Sequence, residues 1–242
     1  MSISVALLAY KEEENLRVLL PQINDELSAI GESYEILVVD SAEPMDNTRQ
    51  VCAENGARYI NQEEPYFAGA FRTAIHNAEN EKFLILDADC SHDPSAIPVI
   101  NEKFDETGAD IVIGSRYCEG GVSNDSKASR MMSAVLNWLF RKALKVDARD
   151  ISTDYRMYRT DDLKRTKLTC ERYDVLQEVI LQIKIDNGGT IYIEEVPIVF
   201  QKRAFGQSKR QLLLFIMHYL ETFIRLTRQR RAFERSQKMA KL

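Results

Sequence analysis

Short apolar runs rich in Val, Ile and Leu recur through the first half of the chain, and a stretch with helical spacing follows each of them. The runs are Ser4–Leu8, Glu35–Val39, Lys82–Leu86 and Asp110–Gly114. Between them lie Glu13–Ile30, Asp46–Asn55, Gly69–Asn80 and Pro94–Glu106, where apolar residues return at the period of a helix. This alternation predicts βαβ units and a mostly parallel sheet. The runs are continuously apolar, as strands covered on both faces require. After Gly114 the pattern changes. Gly120–Gly121 opens a polar loop, a helix is expected over Ala128–Leu144, and further strands over Asp154–Tyr158 and Thr190–Phe200. A helix over Asp174–Ile185 is stopped by Asn187-Gly188-Gly189.

From Leu212 the residues Leu213, Ile216, Met217, Leu220, Phe223 and Ile224 recur at helical spacing and run into a basic continuation. An amphipathic helix results. Two partners fit it: a membrane interface, with Arg228, Arg230 and Arg231 near anionic head groups, or the protein body or a second copy of the chain. The economical organisation is one α/β domain over residues 1–209 and a helical extension over 210–242, without repeats or low-complexity tracts.

Composition sharpens this picture at three points. The 242 residues are 45% hydrophobic, enough for a sizeable core and too many for disorder. The formal net charge of -5 hides an asymmetry: from Arg210 onward eight Lys or Arg face only Glu221 and Glu234, a net +6 that leaves −11 on the rest. An acidic body with a basic tail points to a local anionic partner and argues against nucleic-acid binding. Cys52, Cys90, Cys118 and Cys170 lie far apart, in no CxxC or metal-binding pattern. With no signal peptide in view, they read as reduced thiols of a cytoplasmic protein. No apolar run reaches the roughly 18–20 residues that span a bilayer, so membrane contact would be peripheral, on the cytoplasmic face.

The candidate chemistry gathers where strands end. Asp87-Ala88-Asp89 follows the apolar run Phe83–Leu86. Two carboxylates two residues apart can converge on one hard cation, Mg²⁺ or Mn²⁺, and bridge it to a diphosphate. A bare pair of this kind is more often a solvated turn, but ligands bind at the carboxyl ends of parallel strands. Asp40 ends the second run, where it could accept from a nucleobase or ribose or cap the next helix. Tyr10 could stack on a base or merely pack. Glu13 and Glu14 open a helix and read as structural.

The ordered set Tyr10-Lys11-Glu12, Val38-Val39-Asp40, Asp87-Ala88-Asp89-Cys90-Ser91-His92-Asp93-Pro94, Ile113-Gly114-Ser115-Arg116-Tyr117 and Glu195-Val196-Pro197-Ile198 resembles family 2 glycosyltransferases. Arg203-Ala204-Phe205-Gly206-Gln207-Ser208-Lys209 is similar to the R-x-x-G-x-S-K element of the dolichol-phosphate mannosyltransferase and polyprenyl-phosphate glycosyltransferase branch. The resemblance implies a GT-A fold with a Rossmann-like sheet. It places nucleotide contacts at Ala9, Tyr10, Glu12, Asp40 and Asp87, and metal ligands at Asp87, Asp89 and Ser91. It turns Arg116, Arg130, Arg203, Ser208 and Lys209 toward the acceptor phosphate or the donor diphosphate, and makes Asp89, Arg116 and Arg203 the catalytic group. The implied reaction is metal-dependent, inverting transfer of a sugar from a GDP- or UDP-linked donor to a polyprenyl phosphate.

The chain departs from that branch at Lys11 (usually Asn), Ser41 (a second Asp), Tyr66-Phe67-Ala68 (Gly-Leu-Gly) and Thr153-Asp154 (Ser-Gly). The last departure keeps a rival open, transfer to a hydroxyl of a glycan acceptor with Asp154 as general base. A nucleotide-sugar-binding module without catalysis, and a homodimer, are further alternatives.

Overall fold

The computed structural model describes residues 2–203 and 212–240, with side chains of the last helix described from His218 onward. Among the described residues seven strands form one sheet: β1 (Ile3–Leu8), β2 (Tyr34–Asp40), β3 (Arg58–Asn61), β4 (Lys82–Asp87), β5 (Ile111–Ser115), β7 (Arg156–Arg159) and β8 (Ile193–Pro197). A separate parallel pair joins β6 (Val122–Ser123) to β9 (Val199–Phe200). The order in the large sheet is β3-β2-β1-β4-β7-β5-β8. Every pairing is parallel except those of β7, which runs antiparallel to both β4 and β5. The expected α/β class and mostly parallel sheet are therefore present.

Helices cover both faces, as the continuous apolar strands require. On one face, α1 (Glu13–Ile30), α2 (Thr48–Glu54) and α4 (Ile97–Thr107) enclose a core with Val5, Leu7, Leu84, Leu86 and Met157. On the other, α3 (Tyr66–Asn77), α5 (Lys127–Leu144), α6 (Thr160–Arg165) and α7 (Val175–Asp186) pack over Ala6, Leu37, Phe83, Ile85 and Tyr158. Successive residues of each strand feed opposite cores, as the twofold period dictates.

Two expectations needed correction. The strand expected over Thr190–Phe200 is two strands in two sheets, because the chain leaves the large sheet after Pro197. The edge strand β3 and the short helix α6 were absent from the reading: Arg58 and Asn61 bracket only two apolar residues, too few to register as a run. The expected C-terminal helix is present as α8 (Leu212–Met239).

Part of α8's apolar face is spent on the body. Tyr219, Thr222, Leu226 and Arg230 are buried. Phe140 of α5 sits edge-on against Tyr219 and Phe223, with ring centroids 5.9 and 5.8 Å away. Arg230, expected at head groups, instead donates to the Ala143 carbonyl at 2.5 Å and pairs with Glu234. Arg225 is clasped by the fully buried Glu178 at 2.7 Å. Leu220 and Ile224 stay exposed, as do Arg228 and Arg231. Among the described residues no helix is long and apolar enough to cross a membrane.

Candidate active site

The carboxyl ends of β1, β2 and β4 bring Ala9, Asp40 and Asp87 to one edge of the sheet. Asp40 is fully buried. Its Oδ1 accepts from the Ser41 amide at 2.8 Å and its Oδ2 from the Tyr59 hydroxyl at 3.0 Å. It caps no helix, since α2 starts only at Thr48. Burial pushes its carboxyl above the usual range, against these hydrogen bonds. Ala9 is buried and its amide continues the sheet to the Val39 carbonyl, whereas Tyr10 is 46% exposed at the rim.

Beyond β4 the chain turns sharply. Cys90 takes φ +61°, and the Ser91 amide donates to Asp89 Oδ1 at 3.0 Å. Lys11 (φ +59°) and Tyr66 (φ +66°) are likewise left-handed at this edge. The related branch has Asn and Gly there, the residues that tolerate this conformation best. The Tyr66 ring is held by the Arg172 guanidinium, 4.4 Å from its centroid. Non-glycine residues in such geometry concentrate at functional sites.

The Asp89 turn is stitched to β9. The Gln201 amide donates to the Ser91 carbonyl at 2.8 Å, and His92 bridges Phe200. Three residues past Phe200, Arg203 lies across the acids: Nη2 is 2.8 Å from Asp89 Oδ2, and Nη1 is 3.2 Å from Glu12 Oε1. Glu12 also accepts from Asn15 Nδ2 at 2.5 Å. The structure thus gathers Glu12, Asp87, Asp89, Ser91 and Arg203, with the Ser91 hydroxyl donating to Asp87 Oδ2 at 3.4 Å.

Arg116 belongs to a different alliance. Its Nε and Nη2 fork onto the two oxygens of Asp150 at 2.7 and 2.8 Å, and Nη2 also donates to Ser152. Asp150 is fully buried and takes a further hydrogen bond from Asn137. Burial alone would raise its pKa, but the Arg116 guanidinium outweighs it and holds the carboxyl below the usual range. Sequence reading missed Asp150, because a partner 34 positions away leaves no local trace. Arg130 is exposed on α5, and its carbonyl accepts from the Tyr117 hydroxyl at 3.4 Å. Ser208 and Lys209 lie outside the described residues.

Asp154, just before β7, meets Asp87 because β7 runs antiparallel beside β4. Asp87 Oδ2 and Asp154 Oδ1 each lie 3.7 Å from Nδ1 of His92. His92 is fully buried, and that burial keeps its pKa low and its ring neutral. Its Nδ1 accepts from the Asp87 amide at 3.1 Å, and Nε2 faces the Thr153 hydroxyl at 3.3 Å. His92 was visible in the sequence only as part of the motif. These residues and Arg116 line a cavity of about 70 Å³. A larger hollow of about 370 Å³ lies at the opposite end of β4, around Lys82 and Arg159, away from all of this chemistry.

Known proteins resemble this chain in sequence and fold. Residues 4–166 match the glycosyl transferase family 2 model. The chain is 31% identical over 86% of its length to a dolichol-phosphate mannosyltransferase of Pyrococcus furiosus, spanning 59% of that protein. It is 32% identical over 83% of its length to an undecaprenyl-phosphate mannosyltransferase of Micrococcus luteus, spanning 84% of that protein. Among solved structures, mannosyl-3-phosphoglycerate synthase from Rubrobacter xylanophilus superposes with a TM-score of 0.74 at 18% identity, covering 95% of this chain and 74% of that one. Glucosyl-3-phosphoglycerate synthase from Mycobacterium tuberculosis, in complex with Mn²⁺, uridine diphosphate and phosphoglyceric acid, gives 0.66 at 18%, covering 98% and 78%. Both share the GT-A fold. By the family match, by identity to two polyprenyl-phosphate mannosyltransferases and by fold, this chain belongs to the family 2 glycosyltransferases.

Proposed function

We propose that the protein moves a sugar from a nucleoside diphosphate donor to a polyprenyl phosphate, assisted by Mg²⁺ or Mn²⁺. The observation that carries this reading is Arg203 held between Glu12 and Asp89 at the edge where Asp87 ends its strand. Acids for a cation and a guanidinium for a phosphate stand side by side, as a reaction between two phosphate-bearing substrates needs. An acceptor phosphate oxygen is already anionic at neutral pH. It attacks the anomeric carbon from the face opposite the leaving group, and the bond to the diphosphate oxygen breaks as the new bond forms. Asp40 and Tyr10 would receive the nucleoside, and Arg116 and Arg130 would stand on the acceptor side with Ser208 and Lys209. A bound cation would supply Lewis-acid neutralisation of the leaving diphosphate, with Asp87 and Asp89 beside it. Oxygen ligands in a half-buried crevice suit a hard divalent ion.

Peripheral contact with an anionic membrane fits a lipid acceptor. α5 exposes Met131, Val135 and Trp138 along one stripe, and basic side chains stand at its ends, among them Lys127, Arg130, Lys142 and Lys145. α8 adds the exposed Leu220, Ile224, Arg228 and Arg231 beside it. Such a surface combines apolar burial with attraction to anionic lipid.

The test offers GDP- and UDP-linked sugars with undecaprenyl phosphate or with a glycan acceptor, each with Mn²⁺, Mg²⁺ or EDTA. We expect a glycolipid phosphate product that EDTA abolishes. Transfer to the glycan alone would favour the hydroxyl reading, in which Asp154 is the base. Arg203→Ala should raise the acceptor KM by about 10- to 100-fold, the loss of a charge-assisted hydrogen bond worth roughly 1.5–3 kcal/mol. Unchanged acceptor kinetics with collapsed nucleotide affinity would assign Arg203 to the donor instead.

A further inference from the structure

The geometry points to Asp154 as a cation ligand of this chain: we propose that in the donor-free enzyme the divalent ion sits between Asp87 and Asp154, not between Asp87 and Asp89. The inference rests on the metal-dependent reading above and departs from the set Asp87, Asp89 and Ser91 that resemblance suggests. Asp89 is already engaged, with one oxygen on the Arg203 guanidinium and the other on the Ser91 amide. Asp154 is not. It is 6% exposed and lines the cavity, and among the described residues no Lys or Arg nitrogen pairs with its carboxylate. Its close companions are a second carboxylate, Asp87, and the His92 imidazole, whose Nδ1 lies 3.7 Å from its Oδ1.

Two ionised carboxylates buried side by side are costly unless a proton or a cation lies between them, and a divalent ion satisfies both at once. The spacing suits one. Single ligand atoms of Asp87, His92 and Asp154 all lie within 4.8 Å of one another. An octahedral Mg²⁺ with oxygens at about 2.1 Å sets ligand atoms roughly 3–4 Å apart. The lone pair of His92 Nδ1 is taken by the Asp87 amide. His92 therefore acts as a positioning residue that fixes the end of β4, and the two carboxylates bind. The antiparallel entry of β7 is what delivers Asp154 to Asp87. The related branch has glycine at position 154 and lacks this ligand.

The test is Mn²⁺ binding without donor, followed by electron paramagnetic resonance, with Mn²⁺-dependent thermal melting alongside. It compares the unmodified chain with Asp154→Asn, Asp154→Gly and Asp89→Asn. We expect both Asp154 variants to lose at least tenfold in Mn²⁺ affinity and most of the Mn²⁺-induced rise in melting temperature. Their metal-free melting should stay cooperative, which shows that they fold. Asp89→Asn should keep its affinity within about threefold. If the unmodified chain binds Mn²⁺ and the Asp154 variants bind it equally well, the assignment is overturned while the metal-dependent reading stands. If the unmodified chain binds no Mn²⁺ with or without nucleotide, both fall together.

Discussion

Alanine in place of Asp89 should lower the rate of sugar transfer by about a thousandfold or more, roughly 4 kcal/mol of transition-state stabilisation, and leave the protein folded. Asp89 sits in a crevice at the sheet edge and contributes nothing to either apolar core. On the proposed reading its removal takes away a carboxylate that would hold the cation against the leaving diphosphate, and it also frees Arg203, whose Nη2 it holds at 2.8 Å. Arg203 keeps only Glu12 at 3.2 Å and loses its fixed direction. Both effects act on the transition state, so turnover should fall far more than donor affinity. Steady-state kinetics with circular dichroism decide the matter. Full turnover in a folded variant that still needs the cation would place the essential carboxylate elsewhere.

Asp150→Ala should be the most destabilising single change near the site. It leaves the Arg116 guanidinium, 8% exposed, without the carboxylate that takes two of its nitrogens. Breaking a buried pair on one side costs about 3–5 kcal/mol, because the remaining charge stays desolvated. For a chain of this size the melting temperature should drop by on the order of 10 °C. The effect carries a pH signature. The Asp150 carboxyl is held below its ordinary value in the folded state. Its stabilisation is therefore complete above the unfolded-state pKa, near 4, and is lost as pH falls through the folded value. Melting temperatures of the two proteins should stand apart throughout the range above about pH 4 and converge only as pH falls further, through the folded-state value. A pH-independent gap, or a loss under about 1 kcal/mol, would show that Arg116 finds another partner.

What the sequence disclosed follows from how far each signal reaches along the chain. β1, β2, β4 and β5 were legible because a strand buried on both faces must be continuously apolar. Asp87 and Asp89 were legible because one strand end supplies both. The direction of β7 was not, since Arg156–Arg159 reads the same either way; only its place between β4 and β5 decides that Asp154 faces Asp87. The commitments of Arg116 to Asp150 and of Arg203 to Asp89 join distant segments, so the two arginines looked alike in the sequence and differ in the fold. For α8 the apolar spacing showed that one face would be covered, but the covering residue, Phe140, stands on another helix.

The antiparallel strand has a consequence for how the enzyme comes into being. β7 reaches its slot only after the chain has emitted β5 and α5, so Asp87 and Asp154 become neighbours across a loop closure of more than sixty residues. Contacts of such long range form slowly. A nascent chain that has completed β1 through β4 carries Asp87 and Asp89 on a formed edge but lacks Asp154, Asp150 and Arg203. Asp154 beside Asp87, the clasp on Arg116 and the last arginine thus arrive with the final strands, and a chain that ends after β4 has none of them.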